Sequence, residues 1–310
     1  MDALIYYLVL GFVRFLQALP LVLVAWLGRR AGALAYWLDA RHRRVTVSNL
    51  TLAFGSEKSA AEIRALAHEV FRRLGENYAS AVKTASMTPT TLADRVQFVG
   101  MEKLLADSEP GTRTSQVFAI GHFGNFELYA WAAHFAPGYK SVTTYRALRQ
   151  PRLDALLKSL RERTGCRVLE RRHDGAELRR IMHEPGLMVG LLSDQHAGRA
   201  GLWLPFFGRP CSTGAAPAIL AQRYKMPLHT AICFRTSLGR WRIEISDEIP
   251  THAGEERRSV QEIMTDVNLA FETAIRRDPA NWFWVHRRWK TEKVRPRPTA
   301  IESALPAAHE

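Results

Sequence analysis

The chain has 310 residues, enough for one large domain or two small ones around a substantial core, and at 47% hydrophobic and 24% charged it is not disordered. Lysine and arginine total 43 against 30 acidic residues, a formal net charge of +13 that suits an anionic membrane, a phosphorylated substrate or nucleic acid. Cys166, Cys211 and Cys233 are scattered without a CxxC pair, which argues for reduced thiols and against a disulfide framework or a structural zinc site.

The first 38 residues differ from the rest. Ala3–Gly28 (ALIYYLVLGFVRFLQALPLVLVAWLG) is almost wholly apolar, interrupted by Arg14, Gln17 and Pro20. Its charge-free pieces fall short of the roughly 18–20 residues that cross a hydrocarbon core, so a tilted span and an interfacial helix are both open. The start, MDAL, lacks the positive region of a cleaved signal peptide. Arg29, Arg30, Arg41, Arg43 and Arg44 follow, and positive charge beside an apolar segment marks the cytoplasmic side. Residues 1–38 are therefore expected to anchor the chain to a membrane, with the remainder on the cytoplasmic face.

Ser59–Ala85 carries apolar residues at helical spacing, and Ser59 with Glu62 predicts a capping box. Beyond it, short apolar runs alternate with helical stretches. Strands are predicted at Gln116–Ile120, Arg167–Leu169, Leu187–Leu192, Leu228–Phe234 and Arg240–Ile245. Helices are predicted at Asn125–Phe135, Pro151–Thr164, Gly175–His183, Gly214–Tyr224 and Ser259–Arg276. This alternation predicts an α/β fold, a mainly parallel central sheet flanked by helices, preceded by the apolar anchoring helix. The body is expected to run from 39 to 292, and a loose Pro- and Ala-rich tail to occupy 293–310.

Within AIGHFGNFELYA (Ala119–Ala130), His122 and Glu127 stand five residues apart directly after a predicted strand. With 11 histidines and 30 acidic residues in 310, about one such pair arises by chance, so the spacing alone carries no weight. Mid-helix, five residues would turn the two side chains about 140° apart. They can meet only if His122 lies in the turn and Glu127 in the first turn of the next helix. Gly121 and Gly124 permit that turn, and Asn125 is a suitable N-cap. A neutral imidazole there could take a proton from an attacking hydroxyl while a carboxylate fixes its tautomer. The alternative is a histidine satisfied by turn backbone beside a capping glutamate.

GHFGNFE resembles the His-x4-acid motif of the glycerolipid and lipid A acyltransferases, and the acid is Glu, as in the bacterial lipid A (lauroyl/myristoyl) acyltransferase family. The likeness continues in RRVTVSNLTLAFGSEKSAAEIRALAHEVFRRLG (Arg43–Gly75) and in TTYRALRQPRLDALL (Thr143–Leu157). It extends to LLSDQHAGRAGLWLPFFGRPCSTGAAPAILAQRYKMPL (Leu191–Leu228) and NWFWVHRRWK (Asn281–Lys290), covering about residues 1–292. The resemblance implies O-acyl transfer from acyl carrier protein or acyl-CoA to a hydroxyl of a lipid A precursor, at the inner membrane, with no metal or bound cofactor. It carries His122 across as the base and Glu127 as its partner, and Arg146, Asp194 and Gln195 as substrate-binding residues. Asp194 is placed to contact either His122 or the acceptor. His196 stands where relatives often have an acid. His286, Arg287 and Arg288, interleaved with Trp282, Trp284 and Trp289, are expected to face a membrane interface or a substrate headgroup.

Other functions fit less. A nucleic-acid-binding protein would leave the apolar N-terminus unexplained, and no recognition motif of that class is present. A hydrolase would need a Gly-x-Ser-x-Gly elbow or a His-Glu-x-x-His motif, and the sequence has neither. Acylation of a different glycolipid or a lysophospholipid stays open, as does a basic membrane-associated binding protein without catalysis.

Overall fold

Pro20 divides the apolar N-terminus. It lacks an amide hydrogen and holds an extended backbone (φ −59°, ψ 139°), so helix α1 (Asp2–Ala18) stops and helix α2 (Leu21–Leu38) starts anew. The continuous apolar run over Ala3–Gly28 is thus two helices rather than one. The computed structural model describes residues 2–106 and 113–290, and the expected tail lies outside them. Helices α3 (Ala40–Phe54) and α4 (Ala60–Thr84) follow, and Ser59 and Glu62 form the predicted capping box on α4. Short helices α5 (Pro89–Ala93) and α6 (Met101–Ala106) flank strand β1 (Val96–Val99).

The body then alternates as its periodicity requires. Strand β2 (Gln116–Ile120) feeds a 3-10 helix (Phe126–Phe135) and β3 (Lys140–Tyr145). Helix α7 (Pro151–Glu162), β4 (Arg167–Glu170), α8 (Gly175–Ile181) and β5 (Leu187–Leu192) continue the alternation. A hairpin, β6 (Leu202–Phe206) and β7 (Arg209–Thr213), precedes α9 (Ala216–Tyr224), β8 (Leu228–Ser237), β9 (Arg240–Ile245) and α10 (Val260–Arg277). The main sheet has the order β1-β9-β8-β2-β5-β3-β4, and every neighbouring pair except β8–β9 is parallel. The expected α/β architecture is therefore present.

Strand β2 is buried along its whole length, and its alternate residues build two cores. Val117 and Ala119 pack with Phe71 of α4, Ala218 of α9 and Phe271 of α10. Phe118 and Ile120 pack on the opposite face with Leu128 and Trp131 of the 3-10 helix. The connection after β2 moves toward β3 over one face, whereas the connection after β5 moves toward β8 over the other. The carboxyl ends of β2 and β5 therefore border a topological switch point, where open α/β sheets form a crevice.

Helix α2 is fastened to this body through backbone contact. A Cβ on Gly75 would lie 2.0 Å from the Gly28 carbonyl oxygen, and one on Gly32 would lie 2.1 Å from that of Phe71. Only glycine permits that approach. Beside the contact, the fully buried Glu76 carboxylate accepts from Arg29 of α2 and Arg235 of β8 at 2.8–3.1 Å. A buried carboxylate is tolerated only with such partners.

This packing makes a prediction. Gly75→Ala is expected to lower unfolding free energy in chemical denaturation by about 1–3 kcal/mol, the range for overpacking. Gly11→Ala, where the added carbon meets nothing within 4 Å, should leave it unchanged or slightly raised.

Candidate active site

Register places the central pair. Ile120 of β2 lies opposite Leu192 of β5, so His122 and Asp194, each two residues further on, leave adjacent strands at the same level. Gly124 closes the turn with φ +51°, and its amide donates to the Asn281 carbonyl at 2.9 Å. Asn125 occupies the cap position as predicted, but its side chain does not cap; its Nδ2 donates to Thr84 Oγ1 at 3.4 Å.

Asp194 is buried and its carboxylate is fully engaged. Oδ1 accepts from His122 Nδ1 at 2.8 Å; Oδ2 accepts from the His122 backbone amide at 2.9 Å and from Trp282 Nε1 at 2.8 Å. Burial alone would push its pKa up, but the attraction of His122 and these hydrogen bonds outweigh it and hold the group at about 2. An ionised carboxylate can only accept, so in the neutral ring Nδ1 carries the imidazole hydrogen and Nε2 keeps an acceptor lone pair. The ring is clasped between Phe126 and Phe283, with centroids 4.7 and 5.5 Å away, and Gln195 Nε2 lies 3.5 Å from His122 Nε2.

Glu127 does not supply the expected contact to His122. Its carboxylate takes both prongs of the Arg161 guanidinium, Nε to Oε2 at 2.8 Å and Nη2 to Oε1. The two residues five apart in sequence sit in one site, but the orienting carboxylate on the imidazole is Asp194, seventy-two residues away. A flexible glutamate at the start of the 3-10 helix finds a closer partner in Arg161 of α7, a residue carrying no signal in the sequence. Arg146 stands exposed just beyond β3, and among the described residues its side chain has no hydrogen bond or ion pair.

The closing segment corrects its expectation too. Trp282, Trp284 and Arg288 are wholly buried, and only Arg287 of the cluster's basic residues before Lys290 is exposed. The segment clamps the loop that carries Asp194. Arg288 Nη1 donates to the Gln195 carbonyl at 3.0 Å and to the Ser212 carbonyl at 2.6 Å. His286 Nε2 accepts the His196 amide at 2.8 Å. Asn49 of α3 secures the segment in turn, donating to the carbonyls of Trp284 and His286. Trp282, Trp284 and Arg288 form an internal scaffold, whereas Arg287 is exposed and His286 lines a cavity.

His122, Glu127, Arg146, Arg161, Gln195 and His286 all line one cavity of about 1090 Å³. One part is apolar, running under the sheet past Phe98, Phe118, Met188, Ala231 and Ile243. Another, toward β3 and α8, is polar and carries Arg171, Glu170 and Asp174. One cavity thus brings a histidine whose Nε2 keeps an acceptor lone pair together with apolar and charged side chains.

Comparisons with known proteins identify the family. A model of the family described as bacterial lipid A biosynthesis acyltransferase matches residues 1–291. The chain is 24% identical over 282 residues to the lipid A biosynthesis palmitoleoyltransferase of Escherichia coli (strain K12), covering 89% of this chain and 88% of that protein. The same identity and coverage hold for the lipid A biosynthesis acyltransferase of Shigella flexneri.

The clamp predicts a pH signature. Burial holds the His286 pKa down to about 4, aided by Arg288, His122 and His196 and opposed by Asp194. The folded state keeps His286 neutral where the unfolded chain, with an ordinary value of 6.5, binds a proton. Its contribution is full above about 6.5 and is lost as pH falls toward 4. His286→Gln keeps an acceptor for the His196 amide without titrating, so its melting temperature should vary less than the parent's across that window. His286→Phe removes the acceptor and should cost about 1–3 kcal/mol at pH 8 in chemical denaturation.

Proposed function

The chain belongs to the bacterial lipid A biosynthesis acyltransferase family, and we propose that it transfers a fatty acyl chain from acyl carrier protein or coenzyme A to a hydroxyl of a lipid A precursor at the cytoplasmic face of the inner membrane. The observation that carries this reading is the His122–Asp194 pair, whose imidazole lines a cavity walled by both apolar and charged side chains. In the proposed reaction the acceptor hydroxyl binds His122 Nε2, loses its proton to it, and attacks the thioester carbonyl. The tetrahedral intermediate then collapses, and the departing thiolate takes the proton from the imidazolium. Asp194 stabilises that imidazolium without accepting the proton, as its low pKa requires.

The remaining residues have assignable parts. Gln195 Nε2, beside His122 Nε2, is placed to donate to the acceptor oxygen or the developing oxyanion. Glu127 holds the Arg161 guanidinium rigid on the cavity wall, where it meets negative charge on the substrate. Arg146, on the rim and without a side-chain partner among the described residues, suits a phosphate of the donor or the acceptor. The acyl chain occupies the apolar part past Phe118 and Ala231. Direct attack, with no acyl-enzyme, is favoured by the state of Cys166: it lines the cavity, but burial pushes its thiol up to about 12, out of the thiolate range.

Incubation of detergent-purified protein with acyl-carrier-protein or coenzyme A thioesters and a lipid A precursor should add one acyl chain, read by mass spectrometry. His122→Ala should abolish the gain, and Asp194→Asn should reduce turnover by about 10⁴-fold, the loss for a mis-set tautomer. A folded His122→Ala protein with near-normal turnover would remove the base assignment. Acylation of a lysophospholipid or another glycolipid, and not of the precursor, would replace the acceptor. Separately, Ala231→Phe should shift the preferred donor toward shorter chains in a competition among thioesters of different length.

A further inference from the structure

Helix α2 is apolar and long enough to cross a membrane, yet its packing ties it to charged protein along its length. Its inner face, Val24, Ala25, Gly28, Gly32 and Tyr36, is buried, with Gly28 and Gly32 in backbone contact with α4. Arg29, at the middle of the helix, is ion-paired to Glu69 and to the buried Glu76. To span a bilayer, α2 would have to abandon those contacts or draw α4, with Arg64, Glu69, Arg72 and Arg73, into hydrocarbon. Arg43 is likewise occupied, donating to the carbonyls of Tyr36 and Trp37 at the end of α2.

The outer faces are different. On α1, Leu4, Leu8, Phe12 and Phe15 form a stripe, each more than half exposed; on α2, Trp26, Leu34 and Trp37 are exposed. Exposed Arg14, Arg30, Arg41 and Arg44 accompany these stripes, and Arg30 lies over the Trp26 ring at 5.1 Å. No acidic residue occurs from 3 to 38. Aliphatic side chains with interfacial tryptophans and arginines, and no negative charge between Asp2 and Asp39, match an anionic lipid surface. Helix α1 also packs against α7, whose Leu157 and Arg161 line the cavity.

We propose that α1 and the outer face of α2 lie in the interface of one anionic leaflet, as a monotopic foot beside the cavity, and do not cross the bilayer. The inference deepens the proposed function and rests on it for taking a lipid as acceptor: a foot in this position lets a membrane lipid reach His122 without leaving its leaflet.

The test uses the full-length protein bound to vesicles of phosphatidylethanolamine with about 30% phosphatidylglycerol, a composition with a negative surface. All three native cysteines are buried, so an environment-sensitive fluorophore can be attached at Phe12→Cys or Trp26→Cys. Lipids brominated near the glycerol should quench both probes more strongly than lipids brominated near the chain ends. Stronger quenching by the deep bromines at Trp26→Cys would mean a span, and no lipid-dependent quenching at either would mean that the face is not in lipid; both overturn the proposal. Leu8→Glu combined with Phe12→Glu should weaken vesicle binding at least about tenfold, as two lost apolar anchors imply, with unchanged binding counting against the foot. Acyl transfer to a detergent-dispersed acceptor, assayed on the same variant, should persist. Its absence in the parent protein would fault the proposed reaction and leave the quenching result standing.

Discussion

A carboxylate out of contact with water needs several donors to stay ionised, and Asp194 imposes that requirement on the rest of the molecule. Its donors come from two places far apart in the chain, the turn after β2 and the indole of Trp282. Both must arrive within hydrogen-bond distance at once. The parallel register of β2 and β5 brings the first, and the buried closing segment, braced by Asn49 and Arg288, brings the second. An uncompensated buried charge costs several kcal/mol, so the sheet and the closing segment fit together around this one group.

Asp194 and Glu127 have divided work. Asp194 has no exposed surface on its side chain and no freedom; it fixes a tautomer. Glu127 retains some solvent contact and is spent on a guanidinium that is itself mostly buried. Each arrangement makes a different kind of electrostatic feature: the first leaves a lone pair at Nε2, and the second presents a fixed positive group on the same wall. The imidazole and the guanidinium are thus positioned by separate carboxylates that do not compete for either.

Legibility in the sequence followed local signal. Strands β2, β5 and β9 are continuous or alternating apolar runs, and their observed bounds coincide with those expected. Strand β3 (KSVTTY) opens on Lys and Ser and carries four hydroxyl side chains, so its apolar content does not announce it. The hairpin strands LWLPF and RPCST each contain a proline, which argues against sheet from sequence and is tolerated only because they pair with each other apart from the main sheet. His122 and Asp194 were both identifiable as strand-end residues, but their pairing depends on a register that no local pattern encodes. The Glu127–Arg161 contact depends on where α7 lies. The HRR cluster is ambiguous in sequence because alternating aromatic and basic residues look alike whether they coat a surface or, as Trp282, Trp284 and Arg288 do, fill a core.

The bracing of residues 282–288 by Asn49 also sets an order of assembly. The first helices emerge from the ribosome with their apolar faces complete, whereas the side chain that satisfies Asp194 Oδ2 is specified more than 230 residues after Asn49. During synthesis the first helices are therefore complete while the imidazole still lacks the buried frame that orients it. A chain ending before Trp282 would lack the indole that donates to Asp194 Oδ2, and the carboxylate that orients the imidazole would be left short of a partner.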